Sequence, residues 1–309
     1  MPLYSHSRLS TFESCPRQFH FRYVLKIPEE TEGIEAFVGK RVHEVLERLH
    51  EFVDRGQVPP LQKVVDRYLQ LFEEQYDAER VRIVKPDMDV ADYRELGTRC
   101  LHNYYRRHYP FDVGETLGLE ERVVFSLDED GRYKMQGIVD RISRGPDGVI
   151  EIIDYKTGQW VPSQQQLDTD RQLALYQLGL RDVYGPKQPM RLVWHYLARG
   201  VTRVSQRTAE QLEALRTATI DRIDEIQRES AYEPKTSRLC DWCQYRSICP
   251  AFQEAGAQPQ DTPVAAPASG AAASRAPSAR ATAKAKAGAN GDAARPRPLA
   301  NRDGQLNLL

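Results

Sequence analysis

Two consecutive stretches, Gly137-Ile138-Val139-Asp140-Arg141-Ile142 and Val149-Ile150-Glu151-Ile152-Ile153-Asp154-Tyr155-Lys156-Thr157-Gly158, decide how this chain is read. Each is a short β-branched run that carries charge at its end, and Gly145-Pro-Asp-Gly148 between them is a turn sequence. They predict two strands joined by a turn. Asp154 and Lys156 are two apart, so on a strand both point to one face. Setting an acid and an ammonium beside apolar strands costs desolvation, and the charges therefore need a partner. A divalent metal with a water and a phosphate fits that need best.

Strands are expected over roughly 120–127, 132–143 and 149–155, then a hairpin of 190–198 and 201–206 around Arg199-Gly200. Helical spacing precedes them. Val42, Val45, Leu46 and Leu49 share a face over 39–55, and Val64, Val65, Tyr68, Leu69 and Phe72 do so over 61–77. A third helix is expected over about 90–108. Ser10 and Glu13 have the spacing of a capping box and predict a helix opening near the N-terminus. After Gly158 a polar loop leads to a helix over about 168–183. Leu212, Leu215, Thr219, Ile223 and Ile226 mark a last long one. One α/β domain over 1–255 is thus expected: a helical part about 39–110, a sheet about 118–206, and a helix with a cysteine cluster over 207–250.

The formal net charge of −1 conceals an asymmetry. Residues 262–309 hold seven basic residues against Asp292 and Asp303, which leaves 36 basic and 42 acidic residues for the rest. The body is not a broadly basic nucleic-acid binder, so any such contact is local or lies in the tail. Residues 256–300 are rich in Ala, Pro, Gly and Ser and are expected to be a disordered linker. No apolar run reaches a membrane span, and Met1-Pro-Leu-Tyr-Ser-His lacks the basic-then-apolar pattern of a secretory signal. A cytoplasmic protein with no membrane partner is expected. Gly33-x5-Gly39-Lys40-Arg41 has one residue too many for a phosphate loop and no Ser or Thr after the lysine, so no ATP site is expected.

Mg²⁺ bound by carboxylates needs only one or two of them and keeps positions open for water and phosphate. Asp140 and Asp154 suit that role, and the Tyr155 carbonyl is a further oxygen beside them. Lys156 is placed to orient or deprotonate the attacking water and to stabilise charge growing on phosphorus. His43, on the flank of its helix, completes the set. Each feature has a bland alternative: a surface histidine, an Asp140–Arg141 strand-end pair, an Asp154–Lys156 surface pair worth about 0–1 kcal/mol. Their order in the chain resembles one family. His43, Gly137-Ile-Val-Asp140, Asp154-Tyr-Lys156-Thr-Gly158 and Gln172-x3-Tyr176 match the RecB-type branch of the PD-(D/E)xK nucleases over residues 1–250. The resemblance implies a restriction-endonuclease-like core, a central mixed sheet flanked by helices, with a helical insertion. It implies that His43, Asp140 and Asp154 bind Mg²⁺ or Mn²⁺, that Lys156 serves the water, and that Gln172 and Tyr176 position the DNA strand. A glutamate ahead of the first acid is common in that branch, and Glu120 and Glu121 are both candidates.

Cys240-Asp-Trp-Cys243-x5-Cys249-Pro is a compact thiol trio, with Cys15 the nearest candidate for a fourth ligand. Zinc and a [4Fe–4S] cluster are both chemically acceptable there. An N-terminal cysteine with a late C-x2-C-x5-C resembles the iron–sulfur staple of AddB-type subunits and of CRISPR-associated adaptation nucleases, which implies a [4Fe–4S] cluster on Cys15, Cys240, Cys243 and Cys249. Cys100 has no motif partner and is expected to be a buried hydrophobe. Gln305-Leu-Asn-Leu-Leu309 resembles peptides that bind the bacterial sliding clamp, at the end of a flexible linker suited to tethering.

These readings combine into a metal-dependent DNA exonuclease acting on single-stranded or frayed ends in repair or recombination, with a separate helicase as partner where unwinding is needed. The alternatives are a non-catalytic iron–sulfur DNA-binding scaffold subunit and a nuclease of CRISPR spacer acquisition.

Overall fold

The computed structural model describes residues 2–253. Helices α1 (His6–Ser14) and α2 (Pro16–Phe19) open the chain and run into one wide turn, His20–Val24. Strand β1 (Glu32–Gly33) leads into α3 (Ile34–Asp54), followed by α4 (Leu61–Gln75), β2 (Val81–Arg82) and α5 (Val90–His108). The main sheet is built from β3 (Glu115–Ser126), β4 (Lys134–Arg144) and β5 (Ile150–Lys156). Helices α6 (Gln164–Asp168) and α7 (Gln172–Tyr184) cross over to β6 (Met190–Tyr196) and β7 (Val201–Ser205), and α8 (Ala209–Arg228) closes the series. The main sheet has the order β3-β4-β5-β6-β7, parallel only between β5 and β6. A mixed five-stranded sheet flanked by helices is the α/β core expected from the sequence.

Strand alternation divides the sheet between two cores. Ile150, Ile152, Leu192 and Trp194 pack under α1, α7 and α8 with Leu9, Phe12, Leu173 and Ile223. Ile153, Tyr155 and Val193 point the other way, into the block of α3, α4 and α5. Helix α3 begins five residues earlier than 39 because Ile34, Phe37 and Val38 extend its buried stripe.

Two glycines let α7 lie directly on the sheet. A Cβ on Gly137 would sit 2.0 Å from the Tyr176 ring, and one on Gly179 would sit 2.5 Å from Phe125. The expected helix opening at Ser10 and Glu13 is corrected. Helix α1 starts at His6, capped by Ser5, whose hydroxyl accepts the Arg8 N–H. Glu13 instead receives two hydrogen bonds from Arg171 at 2.7 and 2.6 Å, because a full guanidinium charge outcompetes a backbone amide. The polar loop expected between Gly158 and about 168 is largely occupied by α6, whose Ser163–Gln166 capping box starts the helix. No helix among the described residues is long and apolar enough to cross a membrane. The expected linker over 256–300 and the clamp-type peptide Gln305–Leu309 lie outside the described residues.

Candidate active site

The site forms where β4 parts from β5. Their pairing runs from Arg144↔Ile150 to Arg141↔Ile153 and stops. Beyond it, the Asp140 carboxylate takes the place of a strand partner and accepts the Tyr155 N–H at 2.7 Å. Alternation also breaks across Asp140: Val139 lies in the α7-side core, whereas Arg141 lies beside Tyr104 and Tyr155. Further back, β4 is bordered by Tyr4, which donates its N–H to Lys134 at 2.9 Å and accepts that of Gln136 at 2.7 Å. Residues 137–140 thus edge a gap between two different neighbours.

His43 reaches this gap from α3. Its Nδ1 lies 3.6 Å from Asp140 Oδ1 and 3.9 Å from Glu120 Oε1, and its Nε2 is 2.9 Å from the Tyr155 carbonyl oxygen. With Nε2–H donating to that carbonyl, Nδ1 faces the carboxylates as a ligand atom whose ring is held by its second contact. Ligand atoms of His43, Glu120 and Asp140 all lie within 4.8 Å of one another, an arrangement able to hold a metal ion. Of the two glutamate candidates, Glu120 joins the cluster. It falls between the paired Leu119↔Arg141 and Glu121↔Val139, opposite Asp140, with a left-handed φ of 44°. Strained backbone and like charges placed face to face are both unfavourable and are characteristic of functional sites.

On the other side of the gap, Lys156 Nζ lies 3.0 Å from Asp154 Oδ1 and 2.9 Å from Gln172 Oε1, while Gln172 Nε2 donates to Asp154 Oδ1 at 2.9 Å. The second oxygen, Asp154 Oδ2, is 2.8 Å from the ammonium but lacks hydrogen-bonding geometry, which leaves it a buried acceptor. An unsatisfied buried carboxylate oxygen beside the His43–Glu120–Asp140 group suits a cation. The donor set, oxygens with one imidazole, matches Mg²⁺ or Mn²⁺. Tyr176, one helical turn after Gln172, lies with its ring over Gly137 at the floor of the gap.

The electrostatics agree with a cation site. Burial and the adjacent Asp140 push Glu120 up to about 7, against the pull of His43. Burial opposes the charged His43 ring, yet Asp140, Asp154 and Glu120 together raise it to about 9. Burial also holds Asp154 above the ordinary carboxylate range despite Lys156.

Behind the sheet, Tyr155 is fixed by residues with no sequence signal. Its hydroxyl is 3.0 Å from Tyr104 Oη, which is 2.7 Å from His50 Nε2, and the Arg141 guanidinium lies against both phenols. Arg141 therefore anchors the strand next to Asp140 rather than pairing with it. Nothing in a one-dimensional pattern joins His50, Tyr104, Arg141 and Tyr155, since they come from four elements.

The four cysteines line a single cavity with Phe21, Tyr245 and Phe252. Burial, with the thiols of Cys15, Cys240 and Cys249, raises Cys243. The Cys15 sulfur accepts the Lys235 N–H at 3.4 Å, and the Cys240 sulfur accepts that of Ser237 at 3.3 Å. Cys100 stands apart, fully buried, with its thiol pushed up to about 12 by burial.

Residues 4–250 match the family described as the PD-(D/E)XK nuclease superfamily, and the chain belongs to that superfamily. Among solved structures it is similar to the "Putative exonuclease" from Eubacterium rectale, with 15% identity, a TM-score of 0.44, and 79% of this chain and 87% of that one covered. It is also similar to SSO0001, with 16% identity, a TM-score of 0.32, and 80% and 96% of the two chains covered. No curated protein matches the chain. Membership makes the chain a nuclease, a phosphodiester hydrolase of a superfamily that uses divalent metals.

Proposed function

We propose that the chain is a Mg²⁺- or Mn²⁺-dependent exonuclease of the RecB type, acting in the cytoplasm on single-stranded or frayed DNA ends during repair or recombination. The observation that carries this reading is the convergence of His43, Glu120 and Asp140 on one side of a gap with Lys156, Asp154 and Gln172 on the other. Asp140, Asp154, His43 and Glu120 would hold the ion, with the Tyr155 carbonyl either orienting His43 or serving as a further oxygen. A bound divalent ion supplies Lewis acidity toward the phosphoryl oxygen and lowers the pKa of a water. Lys156, tethered by both Asp154 and Gln172, orients the attacking water and offsets charge growing on the phosphate. Tyr176 and Gln172 border the strand's path.

The same reading assigns a [4Fe–4S] cluster to Cys15, Cys240, Cys243 and Cys249. The four thiols line one cavity, which supports a shared metal centre, and the choice of iron–sulfur over zinc rests on the family resemblance of the cysteine spacing. Two of the sulfurs accept backbone N–H groups, as metal-bound thiolates do. Sequence alone supports tethering to a sliding clamp through Gln305–Leu309, and a separate helicase would supply unwinding.

The test is digestion of three labelled substrates with Mg²⁺ and with Mn²⁺: linear single strands, circular single strands and blunt duplex. Loss of linear single strands with circles left intact is the expected result. Cleavage of circles would overturn the exonuclease assignment, and an inert wild-type protein with every metal would overturn the enzyme.

A further inference from the structure

Beside the gap lies a cavity of about 340 Å³, bounded by the start of α1, by β3 and β4, and by α7. It shares Gln172 and Tyr176 with the site just described and so adjoins it along α7. Its lining differs sharply from its neighbour's. Glu120, Asp140 and Asp154 crowd the gap, yet no carboxylate lines the cavity. Arg122 supplies its positive charge and is exposed; its guanidinium donates to the neutral Gln136 amide at 2.8 Å, and no carboxylate lies within ion-pair distance of it among the described residues. His6 adds no charge, because burial and nearby Arg171 push it down to about 4. Ser5 and Ser7 bring their hydroxyls together at 2.9 Å, and Ile138 is 54% exposed next to Tyr176. A guanidinium and hydroxyls beside an apolar and an aromatic surface suit a group with an anionic end and a flat or sugar-like body.

We propose that this cavity seats the nucleotide adjoining the scissile phosphodiester, with Arg122, Ser5 and Ser7 against its phosphate and Ile138 and Tyr176 against its sugar and base. The proposal rests on the nuclease reading of the adjoining site and extends it to a second subsite. It gives a net-acidic body a local cationic foothold on the strand at Arg122, Ser5 and Ser7, which no nuclease motif in the sequence marks.

Binding of a 5′-labelled single-stranded oligonucleotide, followed by fluorescence anisotropy in EDTA over a range of salt, tests it without cleavage. Arg122→Ala should weaken binding by about three- to tenfold and reduce the slope of log affinity against log salt by about 0.7, the value for one phosphate contact on a single strand. Arg122→Lys should restore the slope. Unchanged affinity and slope in Arg122→Ala, or a loss of affinity with no change in slope, would overturn the subsite. The two readings fail separately. An Arg122-dependent slope in a protein that cleaves nothing rejects the nuclease and keeps the subsite, whereas active protein with an Arg122-independent slope does the reverse.

Discussion

Lys156 owes its position to a side chain eighteen residues from Asp154: Gln172 bonds the ammonium at 2.9 Å and Asp154 at 2.9 Å, closing a three-membered ring. A lysine has four flexible carbons, and one partner would leave it mobile. On the proposed reading Gln172 is a positioning residue. Gln172→Ala should lower kcat about 10- to 100-fold while changing KM for a single strand little; a rise in KM alone would show that Gln172 acts on the strand and not through Lys156. The raised His43 and Glu120 give a second expectation. Metal binding must displace the protons that hold His43 charged up to about 9 and Glu120 neutral up to about 7. Metal affinity should then climb with pH across this window. Without metal, the His43–Asp140 attraction is fully present below the ordinary histidine value and fades as pH rises past about 9. Calorimetry of Mn²⁺ binding at pH 7 in buffers of different ionisation enthalpy should show about one to two protons released per site. No proton release would contradict the assignment of these two ligands.

At the scale of elements, α7 is the piece that joins fold to chemistry. It places Gln172 on Lys156 only because Gly137 and Gly179 let it approach the sheet. Gly137→Ala should force the Tyr176 ring aside and destabilise the protein by about 1–3 kcal/mol, read as a lowered Tm. An unaltered Tm would show that the ring has room to move. These elements also show what a sequence reveals. Asp154 and Lys156 share a face because strand periodicity is local, and the Gly137-x2-Asp140 spacing was legible for the same reason. The choice of Glu120 over Glu121 was not, because a left-handed residue interrupts the alternation that would otherwise assign faces. The start of α1 was misplaced for a different reason. Ser10 and Glu13 have the local pattern of a capping box, but Arg171, far along the chain, captures Glu13 and donates to Ser10 as well. Tertiary ion pairs of that kind leave no local trace.

At the scale of the molecule, Cys15 and the late trio bring the two ends of the nuclease core to one place. The cysteine spacing was legible; the cavity they share, and the buried Arg141–Tyr104–His50 support behind Tyr155, emerge only when distant elements pack. If the four cysteines hold a [4Fe–4S] cluster, anaerobically purified protein should be brown, and Cys243→Ser should lose the colour and much of the stability. Colourless protein with stoichiometric zinc would refute the cluster. If the gap between β4 and β5 is a metal-dependent phosphodiesterase site, Asp140 is the residue on which both its architecture and its charge converge. The most direct measurement is the initial rate of single-strand digestion by wild type and by Asp140→Asn at saturating Mn²⁺, with EDTA controls and Tm recorded for both. Asp140→Asn should fold yet cleave at least about 10³-fold more slowly, and EDTA should silence the wild type. Equal rates, or cleavage that persists in EDTA, would contradict it.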